Sequence, residues 1–192
     1  MIGICALSVA RGLSIVHFSL AMANIGPPEN RAETMHTWAA VPGIGSAALQ
    51  SELTEKINAS DLKAANNRRE ALSAILSIKP LSSMDWLSLS GMQLITDQPM
   101  EQVLGALLLS TMTGPNEGYV MADRGIFGAS LWEDLSRDLK RHTAMDLAAG
   151  EPDDGKFRAV LSAKSERVRN ELQTAILATG LSPKEVERRL GF

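Results

Sequence analysis

Residues 80–115, PLSSMDWLSLSGMQLITDQPMEQVLGALLLSTMTGP, decide the fold class of this chain. Each end is a proline, which has no N–H to continue a helix and restricts the residue before it. Between the prolines the spacing predicts two amphipathic helices joined by a tight turn. Over residues 85–95, Leu87, Gly91, Leu94 and Ile95 line one face, flanked by Trp86 and Leu89, with Ser82 or Ser83 as N-cap. Gly91 costs about 1 kcal/mol against alanine in a helix interior, and its small size is useful only if another backbone comes close there. After Thr96-Asp97-Gln98, Pro99 suits a first helical turn. Met100, Val103, Leu104, Leu107 and Leu108 then repeat at i, i+3, i+4, i+7 and i+8, and Leu109 makes the segment apolar nearly all round. That second helix is expected to be central and covered on more than one side.

Outward from this hairpin the same alternation continues. Thr113-Gly114-Pro115-Asn116 is the clearest boundary: glycine as C-cap, proline as stop, and asparagine as the next N-cap. A helix is predicted over 119–135, with Val120, Phe127, Leu131 and Leu135 on one face and Gly125 and Gly128 at a close contact. Another follows over 137–149, with Leu139, Ala144, Met145 and Ala148 inward. Residues 150–155, GEPDDG, read as an acidic surface loop. One long helix is expected over 157–178, built on Phe157, Val160, Leu161, Val168, Leu172 and Ile176. Gly180 ends it, and Ser182-Pro183-Lys184-Glu185 has the form of a capping box.

Upstream, Ser60 or Asp61 can cap a helix whose apolar stripe is Leu62, Ala65, Leu72, Ile75 and Leu76, with Arg68, Arg69 and Glu70 on the wetter side. Shorter helices are expected over 29–40 and 46–57. Residues 2–25 are the most hydrophobic N-terminal stretch, but Arg11 interrupts them and leaves about 13 mainly apolar positions against the ~20 a spanning helix needs. Two readings stand. Arg11 is the positive region, 13–20 the apolar region and Ala21-Met22-Ala23 a cleavage-like site of a membrane-targeting signal or anchor; or the segment is an ordinary first helix.

A chain of 192 residues, 45% hydrophobic and 21% charged, can bury a sizeable core and is globular in composition. The scarcity of β-branched and aromatic runs makes helix the default, so the expected fold class is all-α. A net charge of -3 argues against a broad electrostatic footprint for nucleic acid. Cys5 is the only cysteine, which excludes an intrachain disulfide and a cysteine-based zinc cluster.

Pro80 and Pro115 each follow one helix and precede another, about 35 residues apart, close to the ~34-residue period of tetratricopeptide arrays. In that frame Gly91 takes the small-residue position of the first helix, and Leu87, Leu94 and Leu107 the large-residue positions, while Ser90 and Val103 depart from the usual Leu and Ala. Residues 45–149 thus resemble a divergent tetratricopeptide-like solenoid of stacked antiparallel hairpins. The segments WLSLSGMQLIT, LLLSTMTGPNEGYVMADRG and SLWEDL are similar to an uncharacterised alphaproteobacterial family of helical proteins associated with polysaccharide export or assembly. The resemblance implies an N-terminal membrane segment at 1–25, a helical domain over 29–149 with C-terminal helices over 156–192 packing on it, and a periplasmic or inner-membrane-associated location; a cytoplasmic one is the alternative. It implies a scaffold with a protein partner, and brings no catalytic residues.

Motifs for chemistry are sparse. His17, His36 and His142 are far apart, and no H-E-x-x-H, G-x-S-x-G, Walker lysine or G-x-G-x-x-G pattern occurs. Asp153-Asp154 lacks the longer ligand pattern of an EF-hand. The expectation is therefore a non-enzyme with no catalytic residues, no metal and no cofactor. Asn116, Glu117, Tyr119, Asp123 and Arg124 form the candidate interaction surface: a polar helix start beside a glycine-rich interior can line a groove, with Arg124 pairing to an acidic group. Against this stands a structural role in which Arg124 bridges to Asp123, Glu117 or Glu133 and locks adjacent helices, the reading preferred here. Trp38, Trp86 and Trp132 read as packing residues. GLSPKEVERRLG near the C-terminus looks like the start of a helix-turn-helix DNA reader, which makes a DNA-binding regulator the alternative function. The recognition helix that such a motif needs does not follow before Phe192.

Overall fold

The computed structural model describes residues 62–150 and 154–190. The expectations for 2–25, 29–40, 46–57 and 151–153, with Cys5, His17, His36, Trp38 and the Ser60/Asp61 cap, lie outside the described residues. Among those described, the chain is all-helical: α1 (Leu62–Ile78), α2 (Ser83–Ile95), α3 (Met100–Thr113), α4 (Gly118–Ser130), α5 (Arg137–Ala149), α6 (Asp154–Ser162), α7 (Glu166–Leu177) and α8 (Pro183–Leu190). None of them is long and apolar enough to cross a membrane. The chain divides into two compact units, 1–80 and 81–192. In the first, α1 buries Ala65, Leu72, Ile75 and Leu76 of the predicted stripe and leaves Glu70 exposed, while the Leu62 side chain lies outside the described ones.

The second unit begins with the α2–α3 hairpin. Ser82 caps α2 by accepting the Asp85 N–H at 3.4 Å, Pro99 stands just before α3, and Gly114 is its C-cap. The tight turn puts Asp97 at φ 51, a left-handed conformation that a short polar side chain tolerates. Two buried serines tie the helices together: Ser90 Oγ donates to the Val103 carbonyl at 2.6 Å, and Ser110 Oγ to the Ser83 carbonyl at 2.8 Å. Moving away from the turn, the paired residues go from 13 to 27 positions apart, as in an antiparallel pair. Each serine hydroxyl replaces its water bond with one inside the protein, so burying it incurs no unmade hydrogen bond.

Gly91 is not a close-approach position: a Cβ built there meets nothing within 4 Å. The serine bonds make the α2–α3 contact instead. Nor is α3 covered all round. Val103, Ala106 and Leu107 are buried, while Leu108, Leu109 and Met112 reach the surface.

The α4–α5 pair packs closely because Gly125 and Gly128 do face a neighbour, as their spacing predicted. A Cβ on Gly125 would sit 3.0 Å from Leu147, and one on Gly128 would overlap the Thr143 side chain. Three boundaries differ from the sequence expectation. The N-cap of α4 is Glu117 and not Asn116, one residue further from the constraint of Pro115. Helix α4 stops at Ser130, and residues 131–134 turn so that Leu131, Trp132 and Leu135 still enter the core. The single helix expected over 157–178 is two, α6 and α7. Ser165 supplies the reason, capping α7 through its Oγ to the Val168 N–H at 3.4 Å. The predicted Ser182 cap is present, accepting the Glu185 N–H at 3.3 Å.

Helix α2 also packs on α4, α4 on α6, α5 on α7, and α8 on both α6 and α7. One core runs through them, including Leu87, Val103, Leu107, Val120, Trp132, Leu147, Phe157, Val168, Leu172, Ile176 and Val186. Three side-chain hydrogen bonds join residues 34 positions apart: Ser83 with Glu117, Ser130 with Lys164, and Glu133 with Arg167.

Candidate functional site

Arg124 is the most deeply buried charge in the second unit's described residues, 1% exposed. Its Nε donates to Asp146 Oδ2 at 2.6 Å and its Nη2 to Asp146 Oδ1 at 2.8 Å, a bidentate pair across α4 and α5. Its Nη1 donates to the Ser110 and Gly114 carbonyls at 2.9 and 3.2 Å, adding a charged donor to acceptors at the α3 C-terminus that also receive the Gly114 and Glu117 N–H groups. The planar fork of a guanidinium suits this arrangement, and lysine could not reproduce it. Burial pushes the Asp146 carboxyl above its ordinary value, while the hydrogen bonds and charge of Arg124, and then His142, pull the other way. Arg124 thus locks adjacent helices, as its structural reading held, but its partner is Asp146 and not Asp123, Glu117 or Glu133. It lies beneath the surface predicted for it.

The other predicted surface residues do sit at the start of α4. Asn116, Tyr119 and Asp123 are exposed and Glu117 is half-buried. Glu117 accepts a short hydrogen bond from Ser83 Oγ and a long one from Tyr119 Oη at 3.5 Å. Gly114 permits this junction, since a Cβ there would lie 2.5 Å from Ser83 Oγ. Glu117 therefore ties α4 to α2, which leaves Asn116, Asp123 and the Glu117-bonded Tyr119 as the exposed part of the patch.

A groove of about 980 Å³ lies elsewhere, between α5 and α7. Arg137, Lys140 and Arg141 form its α5 wall, at i, i+3 and i+4; Arg167, Asn170, Glu171 and Thr174 form its α7 wall; Trp132, Ala175 and Ala178 line the remainder. Trp132 is a core residue, 2% exposed, as its packing assignment predicted, and it also borders the groove. Its Nε1 donates to Glu171 Oε2 at 3.1 Å, and Lys140 Nζ lies 5.2 Å from its ring centroid. Glu171 also pairs with Arg167 at 2.6 Å and Lys140 at 3.5 Å. The Trp132 hydrogen bond foremost, then the Arg167 and Lys140 charges, hold its carboxyl below the ordinary value against a smaller opposing effect of burial. Arg167 reaches Glu133 as well, at 3.1 Å.

Sequence reasoning missed this groove because its cations lie on two helices, one of them hidden inside the long helix expected over 157–178. The available signal was Arg137, Lys140 and Arg141 at helical spacing. Among the described residues no group of three His, Cys, Asp or Glu side chains is placed to hold a metal ion. In the C-terminal segment that resembled a DNA reader, α8 buries Val186 in the core and is the last helix described. No protein-family model, curated protein or solved structure matches the chain.

Proposed function

We propose that this chain is a non-enzymatic protein-interaction module built as a divergent tetratricopeptide-like stack, serving a surface-polysaccharide assembly or export system. The observation that carries the architectural reading is the set of side-chain bonds between residues 34 apart, Ser83–Glu117, Ser130–Lys164 and Glu133–Arg167. In a stack of repeats, residues one period apart occupy equivalent places on neighbouring units, so contacts at that separation are what the architecture generates. The packing of α2 on α4, α4 on α6 and α5 on α7 supports the same reading, since in each of these pairs a helix meets the one two places on. Such stacks present extended surfaces and commonly work by holding partners.

The test is reconstitution. A partner captured by the full chain is purified and its binding measured against the wild type, Leu107→Asp and His142→Ala. Leu107 is 1% exposed, so a buried carboxylate there should unfold the second unit and abolish binding. His142→Ala should leave binding intact. A turnover abolished by His142→Ala would sink the non-enzyme reading, and unchanged surface polysaccharide in a host lacking the chain would sink the polysaccharide assignment.

A further inference from the structure

We propose that the α5–α7 groove takes an acidic amphipathic helix of a partner protein, with its apolar side on Ala175 and Ala178 and its carboxylates against Arg137 and Arg141. This rests on the interaction-module reading and adds the chemistry of the partner.

The groove's positive charge is not all committed. Lys140 and Arg167 are occupied internally, sharing Glu171, with Arg167 also held by Glu133. Arg141 makes one loose contact, 3.9 Å to the exposed Asp138, and Arg137 has no ion pair among the described residues. These two arginines stand one helical turn apart on α5, roughly 5–6 Å. A helix lying along the groove offers carboxylates at i and i+4 with the same spacing, and arginine binds carboxylates through paired N–H donors. The opposite wall provides Asn170 and Thr174, neutral and exposed, so the charge demand is one-sided.

The size of the lining residues selects the rest of the ligand. Ala175 on α7 and Ala178, its C-cap, are small and about one turn apart, and leave a recess that leucine or methionine side chains fill. Apolar anchors at i, i+3, i+4 and i+7 are how an amphipathic helix enters a groove of this kind. A nucleic-acid backbone fits poorly: the uncommitted cations stand on one wall, Glu171 occupies the other, and the whole chain carries a net charge of -3.

The test uses the full chain and fluorescence anisotropy with three labelled probes: a helical peptide with leucines at the anchor spacing and glutamates at i and i+4 on one flank, its glutamate-to-lysine counterpart, and a single-stranded DNA oligonucleotide. The glutamate peptide should bind saturably, and the lysine peptide roughly tenfold or more weakly, the equivalent of about 1.4 kcal/mol. R137E/R141E should erase that preference. Ala178 is exposed, so Ala178→Phe fills the recess without entering the core, and should weaken the glutamate peptide while circular dichroism stays native. Equal binding of the two peptides, tighter binding of DNA, or no response to either variant would overturn the proposal. If the natural partner still binds wild type while the glutamate peptide does not, the groove assignment falls and the module reading stands. Loss of both removes both.

Discussion

Removing one half of the Arg124–Asp146 pair should destabilise the second unit by about 3–5 kcal/mol, the range for breaking a buried ion pair, against about 5–15 kcal/mol for the total stability of a typical domain. The size follows from what is left behind. In D146L the buried guanidinium loses both bidentate bonds. In R124M the Ser110 and Gly114 carbonyls lose their charged donor, and the Asp146 carboxylate loses the main interaction that offsets its desolvation. Asp146 can escape by binding a proton, so the two penalties should diverge with pH. A carboxyl whose folded value lies above its unfolded 3.8 binds protons more readily when folded, so stability from this group falls as pH rises through the folded value. R124M removes the countering charge and raises that value further, so its penalty should grow from acid towards neutral pH, while that of D146L should lack this added slope. Replacing both, R124M/D146L, should recover most of the loss, because burial costs this pair more than the partner returns. Urea unfolding followed by far-UV circular dichroism across pH, analysed as a double-mutant cycle, measures each quantity. Single penalties below about 1 kcal/mol that add in the double variant would refute the claim that this pair is a desolvated, mutually dependent clasp.

Two further predictions concern packing and the groove. Gly91→Ala should stabilise the fold by about 0.5–1 kcal/mol, because a Cβ there meets nothing, whereas Gly128→Ala should cost about 1–3 kcal/mol by overlapping Thr143; thermal melts distinguish the two signs. Glu171 has a depressed folded value, so its contribution is present above its ordinary 4.5 and is lost as pH falls through the lower folded value. The Trp132 indole N–H resonance should shift over that acidic window in wild type and remain still in E171Q; a resonance that titrates equally in both would remove Glu171 as its partner.

The all-α class and most helix boundaries were legible in the chain because they depend on local chemistry. Ser82, Gly114 and Ser182 act on backbone groups within a few residues of themselves, and Pro80, Pro99 and Pro115 restrict their own neighbours. The break at 163–165 was also local, but continuous apolar spacing from Phe157 to Ile176 concealed the Ser165 cap. Gly91 and Gly125 show the limit of such reading: both are small residues on inward helices, and only the neighbouring helix determines which is crowded.

The sequence by itself determined the all-α class, most helix boundaries and the absence of familiar catalytic motifs, since periodicity and caps are short-range properties. Tertiary structure alone decided that Arg124 pairs with Asp146, 22 residues away, beneath the surface predicted for it. It alone placed Arg137 and Arg141 opposite Asn170 and Thr174 across a groove. Those relations depend on how helices stack, and the energy that selects a stack comes from burying the whole core at once, which no single segment encodes.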